Sequence, residues 1–179
     1  LAQRKGAKLR VIPVDDSGQV LLDEYRKLLN GRTKLVAVTQ VSNALGTVTP
    51  VADIVALAHQ AGARVLVDGA QAAVHHDVDV QDICCDFYAF TGHKWCCGPE
   101  GLGAVVLSER VLAEASPTLI GWRSLRHEAS AGSSWHRDAR RFEVATSCVP
   151  LCSGLARSLE LLAAEGSAEA RLARIQSSS

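Results

Sequence analysis

The sequence predicts an α/β fold: a mostly parallel sheet flanked by helices. Three observations carry the prediction. Short apolar runs recur at Lys34–Gln40, Arg64–Asp68, Phe87–Phe90 and Leu102–Leu107, with the length of buried strands and, in Arg64–Asp68, their β-branched content. Stretches with helical spacing stand between or beside them. Gly and Pro fall at the joints of these runs, as at Asn30-Gly31, Pro50, Gly62 and Pro117. Strand–helix–strand units of this size pair in parallel through right-handed crossovers.

Taken in order, Leu1 to Gly6 reads as a helix end with Gly6 as its C-cap. Lys8–Val14 reads as a strand, which Pro13 confines to an edge or terminal position. Asp15-Asp16-Ser17-Gly18 is a turn. Leu22–Leu29 has helical spacing, with Leu22, Tyr25, Leu28 and Leu29 on one face. After the Lys34–Gln40 strand comes a polar loop, Val41 to Thr47, then a helix over Val51–Ala61. Its Ile54, Val55, Leu57 and Ala58 are expected to face the sheet. Glu109–Ala115 reads as a short helix. From Gly121 to Arg141 the periodicity breaks down over a stretch too long for a plain connector, which favours a functional loop. Pro150 opens a helix running to about Ala164, and Ser167–Ile175 reads as a further helix.

Composition excludes several classes. The formal net charge is zero, with no basic stripe for nucleic acid and no acidic tail. No apolar run is long enough to span a bilayer, and the start has no signal-peptide pattern. No nucleic-acid or membrane partner is therefore expected. The six cysteines, Cys84, Cys85, Cys96, Cys97, Cys148 and Cys152, have no zinc-ribbon spacing. They read as reduced thiols of an intracellular protein, Cys96 and Cys97 serving packing rather than reactivity. The chain contains no Met, opens abruptly and ends in three serines, the look of an internal fragment.

One stretch, Val65–Gly103, concentrates polar residues at strand ends. Asp68 closes one apolar run and Lys94 follows another, where open α/β sheets bind ligands. An aldehyde cofactor such as pyridoxal phosphate needs an amine for an imine, an anion facing its ring nitrogen, donors around its phosphate and a partner for its ring hydroxyl. Lys94, Asp68, Thr91 with His93, and Gln71 are candidates for these in turn, with Gly92 and Gly98 leaving the backbone room to approach. The plainer readings are a turn-forming Asp68 and a solvated Lys94. His75, His76, Asp77 and Asp79 cluster in sequence, but the two histidines are adjacent, point apart and lack i, i+4 spacing with each other, so no metal site is expected. Periodicity alone leaves a doubly wound domain of open chemistry.

Ordered motifs narrow this. Val41-Ser42-Asn43-Ala44-Leu45-Gly46-Thr47, Val67-Asp68-Gly69-Ala70-Gln71, Asp86-Phe87-Tyr88, Thr91-Gly92-His93-Lys94 and Gly98-Pro99-Glu100-Gly101-Leu102-Gly103 resemble the class V aminotransferase-like pyridoxal-phosphate enzymes, which include the cysteine desulfurases and selenocysteine lyases. Trp95 after the lysine, Gly121-Trp122-Arg123 and Arg141–Ser147 resemble the cyanobacterial-type cysteine/cystine C–S lyases. The resemblance implies the fold-type-I large domain, incomplete here, over residues 1–163, with 164–179 opening a connection to a small C-terminal domain. It implies that Lys94 carries pyridoxal 5'-phosphate as an imine, Asp68 holds the ring nitrogen and Gln71 the ring hydroxyl. Asn43 would lie near that hydroxyl and the substrate carboxylate, and Thr91 and His93 would bind phosphate. Thr146 would reach the phosphate of the neighbouring subunit in a cytoplasmic homodimer with shared sites, and Trp122 would help close the substrate pocket.

The implied activity is cleavage of the C–S bond of cysteine or cystine by β-elimination. The alternative is a desulfurase that makes alanine and a protein persulfide for iron–sulfur clusters. The family's ring-stacking residue, carboxylate-binding arginine and persulfide cysteine are expected outside this chain, so the isolated fragment is expected to be inactive. A non-catalytic α/β binding or scaffold role is the alternative of another class. Against it, the sequence has no Gly-x-Gly-x-x-Gly or phosphate-loop motif after a strand.

Overall fold

The structure, a computed structural model, describes residues 2–128 and 132–177. Its centre is a four-stranded sheet of β1 (Leu35–Thr39), β2 (Arg64–Asp68), β3 (Phe87–Thr91) and β4 (Gly103–Leu107), ordered β1-β2-β3-β4. β1, β2 and β3 are parallel, and β4 runs antiparallel to β3. The reversal follows from the connection. Residues 92–102 contain no helix, and parallel pairing needs a crossover of a dozen or more residues.

Two helices cover one face of the sheet: α1 (Leu22–Leu28) and α2 (Val51–Gln60). Ile54, Val55 and Ala58 of α2 pack with Tyr25, Val36, Val65, Val67 and Tyr88 into one buried cluster. Each large aliphatic side chain there contributes about 2 kcal/mol by leaving water. The Tyr25 hydroxyl donates to the Ile54 carbonyl at 3.1 Å, so this phenol enters the core with its polar end satisfied. The expected inward positions of α2 are met. Gly6 also takes the left-handed conformation expected of a C-cap.

Beyond the core lie α3 (Val80–Ile83), α4 (Glu109–Glu114), α5 (Val149–Ala164) and α6 (Ala168–Ser177). The side chain of Asp79 caps α3 by accepting from the N–H groups of Gln81 and Asp82. α5 closes over the turn after β3: Ser158 Oγ donates to the Cys97 carbonyl at 2.7 Å. A Cβ on Gly98 would stand 2.6 Å from Leu155 and 3.0 Å from the Gly92 carbonyl. The smallness of Gly98 therefore serves backbone and helix packing.

Two expectations need correction. Lys8–Val14 forms no strand. Its one ladder contact is an isolated bridge from Val14 to Val20. Leu9 and Val11 stand 82% and 78% exposed, and Pro13 cannot donate to a neighbour. Second, the stretch after Gly121 is not simply a loop. It contains a hairpin of β5 (Leu125–Glu128) and β6 (Gly132–Trp135), with short 3-10 turns on either side. No helix among the described residues is long and apolar enough to cross a membrane.

Candidate active site

Parallel pairing collects the candidate residues. Thr39, Asp68 and Ala89 are register partners across β1, β2 and β3, so the three chains leave the sheet at one edge. Asn43 lies in the loop after β1. Asp68 closes β2, with Gln71 in the next turn. Thr91 closes β3, with His93 and Lys94 in the next turn. The ladder runs on past the strand ends: Gln40 N–H donates to the Asp68 carbonyl at 2.9 Å and Gly69 N–H to the Ala89 carbonyl at 2.8 Å.

Tyr88 fixes this edge from below. Burial pushes its phenol up to about 12, so at neutral pH it remains a donor, to Gln40 Oε1 at 2.7 Å. A Cβ on Gly69 would lie 2.1 Å from the Tyr88 ring. Only glycine lets the turn after Asp68 pass over that ring.

A cavity of about 490 Å³ opens at this edge. Asn43, Gln71, His75 and Trp95 line it, together with Leu172 and Gln176 from α6. Gln71 is the link between the loops. Its Nε2 donates to Asn43 Oδ1, and its Oε1 accepts from the Trp95 indole N–H at 2.8 Å. The Trp95 ring stacks on His75 with centroids 3.8 Å apart and 18° between planes. Burial, then the charges of His76 and Arg171, hold His75 below the usual histidine pKa. Before it, Val74 has φ 69°, strained for a β-branched residue. Arg171 of α6 donates to the Val74 carbonyl at 2.7 Å, tying α6 to this turn.

Asp68 partly meets its plainer reading: Oδ1 accepts from Ala70 N–H at 2.9 Å, and the residue is otherwise exposed. Lys94 is half-buried in the turn after β3, its carbonyl accepting from Cys97 N–H at 2.9 Å. Thr91 Oγ1 is buried and has no hydrogen-bond partner among the described residues. Cys96 is buried as a packing residue, and burial raises its thiol pKa. No group of three or more His, Cys, Asp or Glu among the described residues is arranged to hold a metal ion. Asp79 is spent on its cap and His75 on its stack.

The segments that carry Trp122 and Thr146 meet elsewhere. Arg123 pairs with Glu143 at 3.0 Å and donates to Ser147 at 3.2 Å, while Ser124 Oγ donates to the Glu143 carbonyl at 2.9 Å. A Cβ on Gly121 would meet the Val144 carbonyl at 1.7 Å. Trp122 is 61% exposed and lines a separate cavity of about 320 Å³ with Arg123, Leu125, His136 and Arg140. Thr146 is exposed. Neither lines the Asn43–Gln71 cavity.

A family model described as aminotransferase class-V matches residues 1–178. The chain belongs to the aminotransferase class-V family. It is a family of pyridoxal-phosphate enzymes, and this chain is part of the fold-type-I large domain. A cysteine desulfurase of Enterobacter sp. (strain 638) is 45% identical over 168 residues, 93% of this chain and 41% of the relative. This chain therefore spans well under half of that relative. Among solved structures, the cystine C–S lyase C-DES in complex with its product cysteine persulfide superposes with a TM-score of 0.85. It is 36% identical, and the match covers 96% of this chain and 47% of that one. A lysine-to-alanine variant of that lyase has glycine covalently linked to its PLP cofactor.

Sequence reasoning missed His75, Leu172 and Gln176 as cavity residues and read Trp95 only as a family marker. The one local signal was Trp95 itself, a donor-only side chain beside the candidate lysine.

Proposed function

We propose that the protein containing this chain uses pyridoxal 5'-phosphate to cleave the C–S bond of cysteine or cystine by β-elimination. For cysteine, substrate and water give pyruvate, ammonia and sulfide. For cystine, a persulfide leaves in place of sulfide. The observation that carries the reading is the shared edge of β1, β2 and β3, where Asn43, Asp68, Gln71 and the Thr91–Lys94 turn emerge side by side. The donor set fits the cofactor. Thr91 Oγ1 is a buried hydroxyl without a partner among the described residues, suited to a phosphate oxygen, and Asp68 has carboxylate capacity left after its backbone contact with Ala70.

When bound, the cofactor supplies an electron sink for charge developing at the substrate Cα. Lys94 would hold it covalently at rest, and its Nζ, freed when the substrate amine takes its place, would accept the Cα proton. Asp68 keeps the ring nitrogen protonated. Gln71 and Asn43 face the ring hydroxyl, Asn43 also the substrate carboxylate, and Thr91 and His93 hold the phosphate. Thr146 serves the phosphate of the neighbouring subunit in a homodimer, and Trp122 helps close the pocket. Residues 1–163 belong to the cofactor-binding domain, and 164–179 lead towards a small domain. The enzyme works in the cytoplasm.

The name of the 45%-identical relative favours a second reading, a desulfurase that passes sulfur to a protein thiol and releases alanine. Cys85 and Cys96 are poor acceptors, because burial raises both thiols, Cys85 to about 11.

The full-length enzyme, reduced with borohydride and digested, is expected to show the cofactor's mass on the Lys94 peptide. Lys94→Ala is expected to lose that mass and about a thousandfold in turnover. Label on another lysine, or none, overturns the cofactor assignment. Pyruvate against alanine, measured on cysteine and cystine, separates the two readings.

A further inference from the structure

Three side chains from three loops form a polar chain at the cavity wall, and the chemistry of the first sets the orientation of the others. An indole N–H only donates. The Gln71 atom facing Trp95 at 2.8 Å is therefore its oxygen, and the amide end facing Asn43 is its NH2. That NH2 must meet an acceptor, so Asn43 turns its Oδ1 to Gln71 and keeps its own Nδ2 for the cavity it lines. Amide groups otherwise choose between two flips of similar shape. Here the choice is made by a residue that need not touch the reacting atoms. Trp95 is itself held flat by the stack on His75.

We propose that Trp95 is a positioning residue: its indole N–H locks Gln71 so that Asn43 presents an N–H donor to an anionic oxygen in the cavity. This rests on the function proposed above. The anionic oxygen has two sources, the substrate carboxylate and the cofactor's ring oxygen, and both demand a donor at Asn43. With the opposite flip, Asn43 would present its carbonyl and repel either one.

The test uses the full-length holoenzyme, with Trp95→Phe as the main variant. It removes the N–H and keeps a ring to stack on His75. Inhibition constants are measured for 3-mercaptopropionate, which has the carboxylate, and cysteamine, which lacks it. The midpoint of the visible band against pH is measured in parallel. If the oxygen is the substrate carboxylate, Trp95→Phe weakens 3-mercaptopropionate about fivefold, the worth of one ordinary hydrogen bond, and leaves cysteamine unchanged. If it is the ring oxygen, both inhibitors are unchanged and the midpoint rises by about 0.7 pH unit, because an oxygen deprived of its donor holds the neighbouring proton more tightly.

Gln71→Glu gives the same effect, larger. Its carboxylate still accepts from Trp95 but cannot donate, so Asn43 turns its NH2 to that carboxylate and its carbonyl to the cavity. The proposal is overturned if Trp95→Phe matches wild type in all three measurements with equal cofactor content and circular dichroism, since Trp95 would then matter only as a packed ring. A wild-type enzyme without cofactor on Lys94 overturns the function itself, and this proposal with it.

Discussion

Asp68 and Asp86 mark opposite edges of the same parallel strands. Asp86 enters β3 from the N-terminal edge and is 1% exposed. It accepts from Val65 N–H at 2.7 Å, His59 Nε2 at 2.9 Å, and Arg110 at 2.6 and 3.0 Å, with Arg64 3.7 Å away. Asp68 ends β2 at the other edge, exposed, with one backbone donor on one oxygen. Both lie beside apolar strands, Asp68 at the end of one and Asp86 at the start of another. The difference teaches that a carboxylate whose lone pairs are filled by the protein serves the fold. One with capacity left, where several strands end together, is available to a ligand.

The most damaging way to test the comparison is Asp86→Ala. It orphans a buried N–H on Val65, itself fully buried, and leaves Arg110 without its closest carboxylate. Chemical denaturation of the full-length protein is expected to show a loss of about 3 kcal/mol. The pH dependence carries the same signature. Burial raises the Asp86 pKa, but hydrogen bonds from Arg110, His59 and Val65 outweigh it and hold the carboxyl below its ordinary 3.8. A depressed folded pKa gives stability that is full above the unfolded value. It fades as pH falls through 3.8 towards the folded value. Asp86→Asn is expected to flatten that acid limb, and an unchanged limb would remove Asp86 from the structural role.

Asp68→Asn should do the reverse. With one short-range contact to lose, its unfolding free energy is expected to stay within about 0.5 kcal/mol of wild type. Turnover on cysteine is expected to fall about a hundredfold or more, because an amide cannot stabilise a protonated ring nitrogen. A variant that unfolds as easily as Asp86→Ala would dissolve the distinction between the two edges.

How much of this was legible depended on the range of the forces involved. β1, β2, β3 and α2 follow from local pattern, since period-3.6 and β-branched runs state which residues leave water. The shared edge follows in turn, because strand–helix–strand units must run parallel. Lys8–Val14 has strand composition too, but a strand needs a neighbour, and the partner of a lone segment is not written in its own residues. The hairpin at Leu125–Trp135 hid behind a polar, irregular stretch whose pairing is set by cross-strand contact rather than an apolar face. The Asn43–Gln71–Trp95 chain joins three loops far apart in sequence, and it exists only because the register of β1, β2 and β3 stacks those loops. Leu172 and Gln176 reach the cavity from α6, which no pattern near Lys94 announces. The structural role of Asp86 was hidden for the same reason: His59, Arg64 and Arg110 converge on it from other elements.

The smallest expected effect refines the structural edge without touching the other. Cys84 ends α3 in the left-handed conformation, φ 59° and ψ 25°, its N–H bonded to the Val80 carbonyl at 3.1 Å. The turn leads directly through buried Cys85 into Asp86. A side chain with a Cβ pays for that conformation, whereas glycine at a helix C-cap adopts it freely. Cys84 is exposed, so its thiol gives little packing in return. Cys84→Gly is expected to stabilise the full-length protein by about 0.5 kcal/mol, the relief at the cap being partly offset by greater freedom of the unfolded chain. The denaturation midpoint should rise, while turnover and the visible band of the holoenzyme stay as in wild type. A change in either would mean that the two edges communicate through β3, and that the carboxylate filled by the protein also helps set the one left for the ligand.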